Sequence, residues 1–140
     1  MPATAFDRLP MPPCAKTLGF ELLEADAAKG TVSIRFQAQP AFCNPAGQVQ
    51  GGFLSAMLDD SMGPAVVIAS QGERYPVTIS LTVTFLAPAS PGPIIGRAQV
   101  RQLGRTIGCV EASLEDAGGV ELARAVASVR LMPLGSMVEA

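Results

Sequence analysis

Hydrophobic and polar positions alternate strictly along residues 77–85, where Val77, Ile79, Leu81, Val83 and Phe85 interleave with Thr78, Ser80, Thr82 and Thr84. A period of two predicts a half-buried strand with the apolar set on one face. Residues 30–38 repeat the pattern: Val32, Ile34, Phe36 and Ala38 lie opposite Thr31, Ser33, Arg35 and Gln37. Residues 20–25 are the expected partner of that strand. From Gly51 the period changes. Leu54, Met57, Leu58, Met62, Ala65, Val66 and Ala69 recur at spacings of three and four, which predicts a helix with one apolar stripe. Pro64 predicts a kink or a restart, because it lacks an N–H and its ring crowds the carbonyl of Asp60. Three further strands are predicted over residues 96–103, 106–116 and 120–132, linked by short turns at Gly104 and at Ala117, Gly118 and Gly119 as antiparallel hairpins are. Two strands, a helix and four strands, without βαβ alternation, predict an α+β architecture with the helix covering one face of an antiparallel sheet.

A chain of 140 residues fits one domain. It is 49% hydrophobic but only 5% aromatic, with a mean hydropathy of +0.34, so small side chains must fill a tight core or subunit interfaces. A net charge of −2 and a pI near 5.0 argue against a nucleic-acid partner, which would demand a basic face. No apolar run approaches the roughly 20 residues of a membrane span, so no membrane partner is expected. Residues 1–17 read as a Pro-rich N-terminal arm without an export signal, residues 18–140 as the domain, and the location as cytoplasmic. Cys14, Cys43 and Cys109 are widely spaced without a CxxC and read as reduced thiols. Cys43 has no histidine to activate it and reads as a small, half-buried thiol rather than a nucleophile.

The absence of histidine excludes Ser-His-Asp and Cys-His triads and histidine-ligated zinc. No GxGxxG or GxxxxGK[ST] occurs, so no dinucleotide or P-loop site is indicated. No metal or redox cofactor is expected, and acid–base chemistry falls to carboxylates. At the helix start, the N–H groups of Gly51 and Gly52 lack intrahelical partners and no side chains screen them, which suits an anion or oxyanion. The same glycines fit a sharp loop-to-helix turn with no ligand. Asp59 and Asp60 fall on opposite flanks of the stripe, so periodicity does not choose between them, and both fit a solvated face. The apolar surround in MLDDSMG favours a partly desolvated carboxylate, whose raised pKa suits a general base.

From Asn44 to Gly52 the chain reads N-x-x-G-x-V-x-G-G, and Asp59 follows seven residues after Gly52. With TVTFLAPASPG and GRTIGCVEASLEDAGGVELARAVASVRL downstream, this resembles the hotdog-fold thioesterases of the phenylacetic-acid-degradation type over residues 18–132. The resemblance implies a sheet wrapped round a central helix, homodimers or dimers of dimers, and hydrolysis of an acyl-CoA or aryl-CoA thioester. By motif position, Asn44 resembles the family's donor to the thioester carbonyl, and Gly51 the glycine whose N–H polarises the same oxygen. Asp59, not Asp60, falls on the acidic position that activates water or attacks directly, and Thr78 where some relatives have a serine or threonine that holds the attacking water. Arg105 resembles a basic residue near the coenzyme phosphates, while Gln50 and Gly52 complete the substrate-binding loop. Gln50 departs from the family, which has histidine there; an amide exchanges hydrogen bonds but carries no proton at neutral pH. A non-catalytic acyl-CoA-binding protein is therefore the alternative. Gly51 and Asp59 are eight residues apart, about 12 Å along a helix, which predicts a site shared between two chains.

Overall fold

The computed structural model describes residues 4–135. Six strands, β1 (Glu21–Asp26), β2 (Thr31–Ala38), β3 (Arg74–Phe85), β4 (Gly92–Leu103), β5 (Ile107–Asp116) and β6 (Glu121–Pro133), form one sheet in the order β1-β2-β4-β5-β6-β3. Every neighbouring pair is antiparallel. Helix α2 (Gly51–Ala69) packs against all six strands, so the sheet wraps around it. Two 3-10 turns (Ala5–Arg8 and Pro40–Phe42) and a short helix α1 (Pro13–Leu18) complete the chain.

The alternation read from residues 31–38 sorts as expected. Val32, Ile34, Phe36 and Ala38 are buried, while Arg35 and Gln37 are exposed. On β4, Gly96 permits a close approach of sheet and helix: a Cβ there would stand 2.6 Å from Ser61 Oγ and 2.9 Å from the Phe36 ring. Ser61, fully buried, satisfies its hydroxyl by donating to the Met57 carbonyl at 2.8 Å.

Three expectations change. Helix α2 runs through Pro64 as one element, without a restart. It is also more than a one-sided stripe, since Ser61, Met62 and Pro64 through Ile68 are all buried. A helix apolar all round belongs inside a core, and here the N-terminal 3-10 turn packs on it as well. Ala15 of the N-terminal arm and Leu18 at the start of the domain also belong to the buried core.

The third change matters most for function. On β3, Thr78 pairs with Val129 and the next pair is Ser80 with Ser128, so Ile79 is an extra, unpaired residue. Such a bulge reverses which face each side chain takes. Val129 is fully buried, so Thr78 lies on the helix side, together with Leu81, Val83 and Phe85 beyond the bulge. Val77 lies on the outer face, opposite the exposed Arg130. The single apolar face read for residues 77–85 is therefore two faces joined at Ile79. β3 is also an edge strand, bonded only to β6, and it carries exposed Val77 (47%), Ile79 (59%) and Phe85 (52%).

Candidate active site

The loop before α2 is built around Asn44. Its Oδ1 accepts the N–H groups of Ala46 (3.0 Å) and Gln48 (3.2 Å), while its own N–H donates to the Gln48 carbonyl at 2.7 Å. Because two backbone donors occupy the oxygen, the side-chain NH2 is the free end of the amide. Cys43 bridges to Val49, and Gln50 N–H donates to the Phe42 carbonyl at 2.9 Å, so this short ladder delivers the chain into the helix. Gln50 is the exposed N-cap residue, its side chain makes no capping bond, and its carbonyl accepts from Phe53 and Leu54. The N–H groups of Gly51 and Gly52 have no acceptor among the described residues, and the position of a Gly52 Cβ is open space. Such a helix start suits a negative charge.

Two turns along the helix, Asp59 is exposed, and its Oδ1 accepts a hydrogen bond from Thr78 Oγ1 at 2.8 Å. The bulge at Ile79 makes this pair possible by turning Thr78 onto the helix face. Asp59 and Thr78 stand at one end of β3. Gly51 stands at the other, under Phe85, whose ring comes within 3.0 Å of where a Gly51 Cβ would be. One chain thus brings Asp59 and Thr78 together, ties the Asn44 loop to Gly51, and keeps the two pairs apart along α2.

The desolvated carboxylate is Asp60, not Asp59. Asp60 Oδ2 is buried without a hydrogen-bond partner. Burial, and then the neighbouring Asp59 charge, push its pKa from 3.8 up to about 6. The apolar surround read in MLDDSMG therefore acts on the second aspartate.

Arg105 is exposed in the β4–β5 turn, and its carbonyl accepts from Arg74 Nη1 at 2.7 Å. Arg35, Arg97, Arg101 and Arg124 are each ion-paired with a glutamate. Arg74, Arg105 and Arg130 have no carboxylate partner among the described residues. These three gather at the Thr78 end of the sheet, where Arg130 pairs with both Val77 and Ile107. The sequence reading missed Arg74 and Arg130; a contrast between paired and unpaired arginines becomes visible only once the strands are in register. A trough of about 580 Å³ on the outer face, lined by Thr82, Thr84, Arg97, Ser113, Arg124 and Val126 among others, includes none of the site candidates. Among the described residues no group of three Cys, Asp or Glu could hold a metal, and no helix is long and apolar enough to cross a membrane.

Comparison with known proteins identifies the fold and the family. The family model of the thioesterase superfamily matches residues 46–123, a span that contains Gly51, Asp59, Thr78 and Arg105. A phenylacetic acid degradation-related protein from Ralstonia eutropha JMP134 is 35% identical, with 90% of this chain and 95% of that one covered, at a TM-score of 0.83. The E. coli PaaI protein of the phenylacetic acid degradation operon (21% identical, 86% and 85% covered, TM-score 0.78) shares the fold. So does a Streptococcus mutans UA159 protein bound to acetyl-CoA (20%, 81% and 89%, 0.72). The chain belongs to the thioesterase superfamily, as a hotdog-fold thioester hydrolase of the PaaI-like type.

Proposed function

We propose that the protein hydrolyses acyl-CoA or aryl-CoA thioesters at a site shared between two copies of the chain, with Asp59 as the general base. Asp59 takes a proton from a water held by Thr78, and the water oxygen attacks the thioester carbon. The carbonyl oxygen becomes an oxyanion held by the Gly51 N–H and the Asn44 side-chain NH2. Collapse of this intermediate breaks the C–S bond, and the coenzyme leaves as a thiolate that takes up the proton. Free acid and coenzyme A result. A thiolate leaves readily, so a carboxylate base and two donors suffice without histidine.

The observation that carries this reading is the placement of the two half-sites at opposite ends of one open-edged strand. Two edge strands that pair antiparallel about a two-fold axis between Leu81 and Thr82 would set Phe85 and Gly51 of one chain across from the partner's Thr78. The exposed apolar side chains of β3 and its unpaired backbone groups support such an edge-to-edge contact. A dimer of dimers is the further expectation of this assembly. The unpaired Arg74, Arg105 and Arg130 favour the phosphate-rich coenzyme as the leaving group, in keeping with the acetyl-CoA bound by the Streptococcus mutans relative. Gln50 and Gly52 shape the loop rather than transfer protons, and no cofactor takes part.

Release of free thiol from a panel of acyl- and aryl-CoA esters tests the reaction. The wild type is expected to turn over, and Asp59→Asn to lose about 10²–10⁴ in kcat with an unchanged melting temperature. Full activity in Asp59→Asn would remove Asp59 from the mechanism.

A further inference from the structure

The two ends of β3 differ in charge as well as in chemistry. Residues 36–58, which supply the Asn44 loop and the helix start, and residues 79–96, which carry β3 from its bulge past Phe85 and into β4, contain no charged side chain. Arg124 on the neighbouring β6 is exposed and ion-paired with Glu121. The Thr78 end collects the three unpaired arginines. A thioester has the same polarity: an uncharged acyl group on the carbon side and phosphates on the sulfur side. An acyl group whose carbonyl oxygen rests on the Gly51 N–H must therefore leave that point over uncharged surface. The side chains there are aromatic. Phe42 and Phe53 stack with ring centroids 4.2 Å apart and planes within 7°. Phe42 is buried beneath while Phe53 is half-buried.

Phe85 closes this surface on the sheet side. Three of its ring atoms lie 3.0, 3.2 and 3.5 Å from the point where a Gly51 side chain would begin, whereas nothing lies within 4 Å of the same point at Gly52. The ring is 52% exposed, so it is not held there by enclosure in the core. It stands at the end of its strand, on the helix side, packed against the side-chain position of Gly51, the residue that carries the first of the two acceptor-free N–H groups.

We propose that Phe85 is the specificity-determining residue of this enzyme: its ring is the wall that sets the size of the acyl group accepted beside the Gly51 N–H. This rests on the thioesterase reading above and adds which substrates it favours, namely those with short acyl groups. A larger group would have to displace the ring or abandon the donor. In an apolar pocket, a single methylene changes discrimination by roughly 10–200-fold, so trimming the ring should reverse the order of substrates and not merely slow them.

The test compares kcat/KM for acetyl-, butyryl-, hexanoyl- and octanoyl-CoA in the wild type, Phe85→Leu and Phe85→Ala, with melting temperatures alongside. The expected result is a fall from acetyl to octanoyl in the wild type, and a rise of at least about 10-fold in the octanoyl-to-acetyl ratio in Phe85→Ala, with Phe85→Leu between. If Phe85→Ala fails to fold, the Phe85→Leu ratio decides. A purely structural Phe85 would lower every substrate in proportion and leave the ratio fixed, which overturns this inference while the thioesterase reading stands. A wild type that hydrolyses none of the four esters also overturns this inference, and the thioesterase reading falls with it only if the aryl-CoA esters are left intact as well.

Discussion

Asp60 offers a quantitative check on the site through stability. Its pKa is raised from 3.8 to about 6 by burial first and by the Asp59 charge second, so the folded protein holds this proton more tightly than the unfolded chain. The sign follows from linkage. Below about pH 3 Asp60 is protonated in both states and costs nothing. As the pH rises toward 6 the unfolded chain releases the proton while the folded one keeps it, and stability falls. Above about pH 6 the full cost of a buried charge is present. At 1.36 kcal/mol per unit, the difference corresponds to about 3 kcal/mol. Asp60 is only half-buried, and water at its open edge screens the charge, which leaves about 1–2 kcal/mol. Asp60→Asn keeps the shape and removes the ionisation. At pH 7.5 and fixed protein concentration its melting temperature should exceed the wild-type value by about 3–8 °C, and at pH 4 the gain should shrink to about a fifth of that. Calorimetry or circular dichroism melts at the two pH values provide the comparison, in which any pH-independent effect of the amide cancels. An equal shift at both pH values, or none at pH 7.5, would refute the assignment of Asp60 as the desolvated acid.

Two further outcomes concern the other end of that cluster. Thr78→Val preserves shape but removes the donor to Asp59; a hydrogen bond to a charged group is worth about 1.5–3 kcal/mol, so kcat should fall about 10–100-fold. The same change in an Asp59→Asn background should cost little more, and additive losses would separate the two residues. Arg74→Ala and Arg105→Ala should raise KM for acyl-CoA with little change in kcat and leave a short acyl-pantetheine thioester, which lacks the nucleotide phosphates, unaffected; equal losses on both substrates would place the arginines elsewhere in the reaction.

Much of the fold was legible because its elements obey simple periods. Residues 31–38 alternate and do so in the sheet, and Gly51 opens the helix where the three-and-four spacing begins. What stayed hidden depends on residues distant in the chain. The bulge at Ile79 leaves no mark in residues 77–85, since their alternation is unbroken; only the register against β6 exposes the extra residue. Asp60 looks like a flank position on a helical wheel, but α2 is packed on more than its stripe, by six strands and the N-terminal turn, and that enclosure desolvates the carboxyl. The Asn44 loop was readable as a motif. Its mechanics were not, because it takes the folded loop to show the side-chain oxygen engaged and the NH2 left free.

The central claim is that each active site draws Asn44 and Gly51 from one chain and Asp59 and Thr78 from another. Asn44→Ala and Asp59→Asn homodimers should each be inactive. Unfolded together in equal amounts and refolded, they should form roughly half heterodimers, each with one intact site and one doubly defective site. About a quarter of wild-type activity should then return. If heterodimers are demonstrated by mass and the mixture remains inactive, the site lies within a single chain and the claim is contradicted.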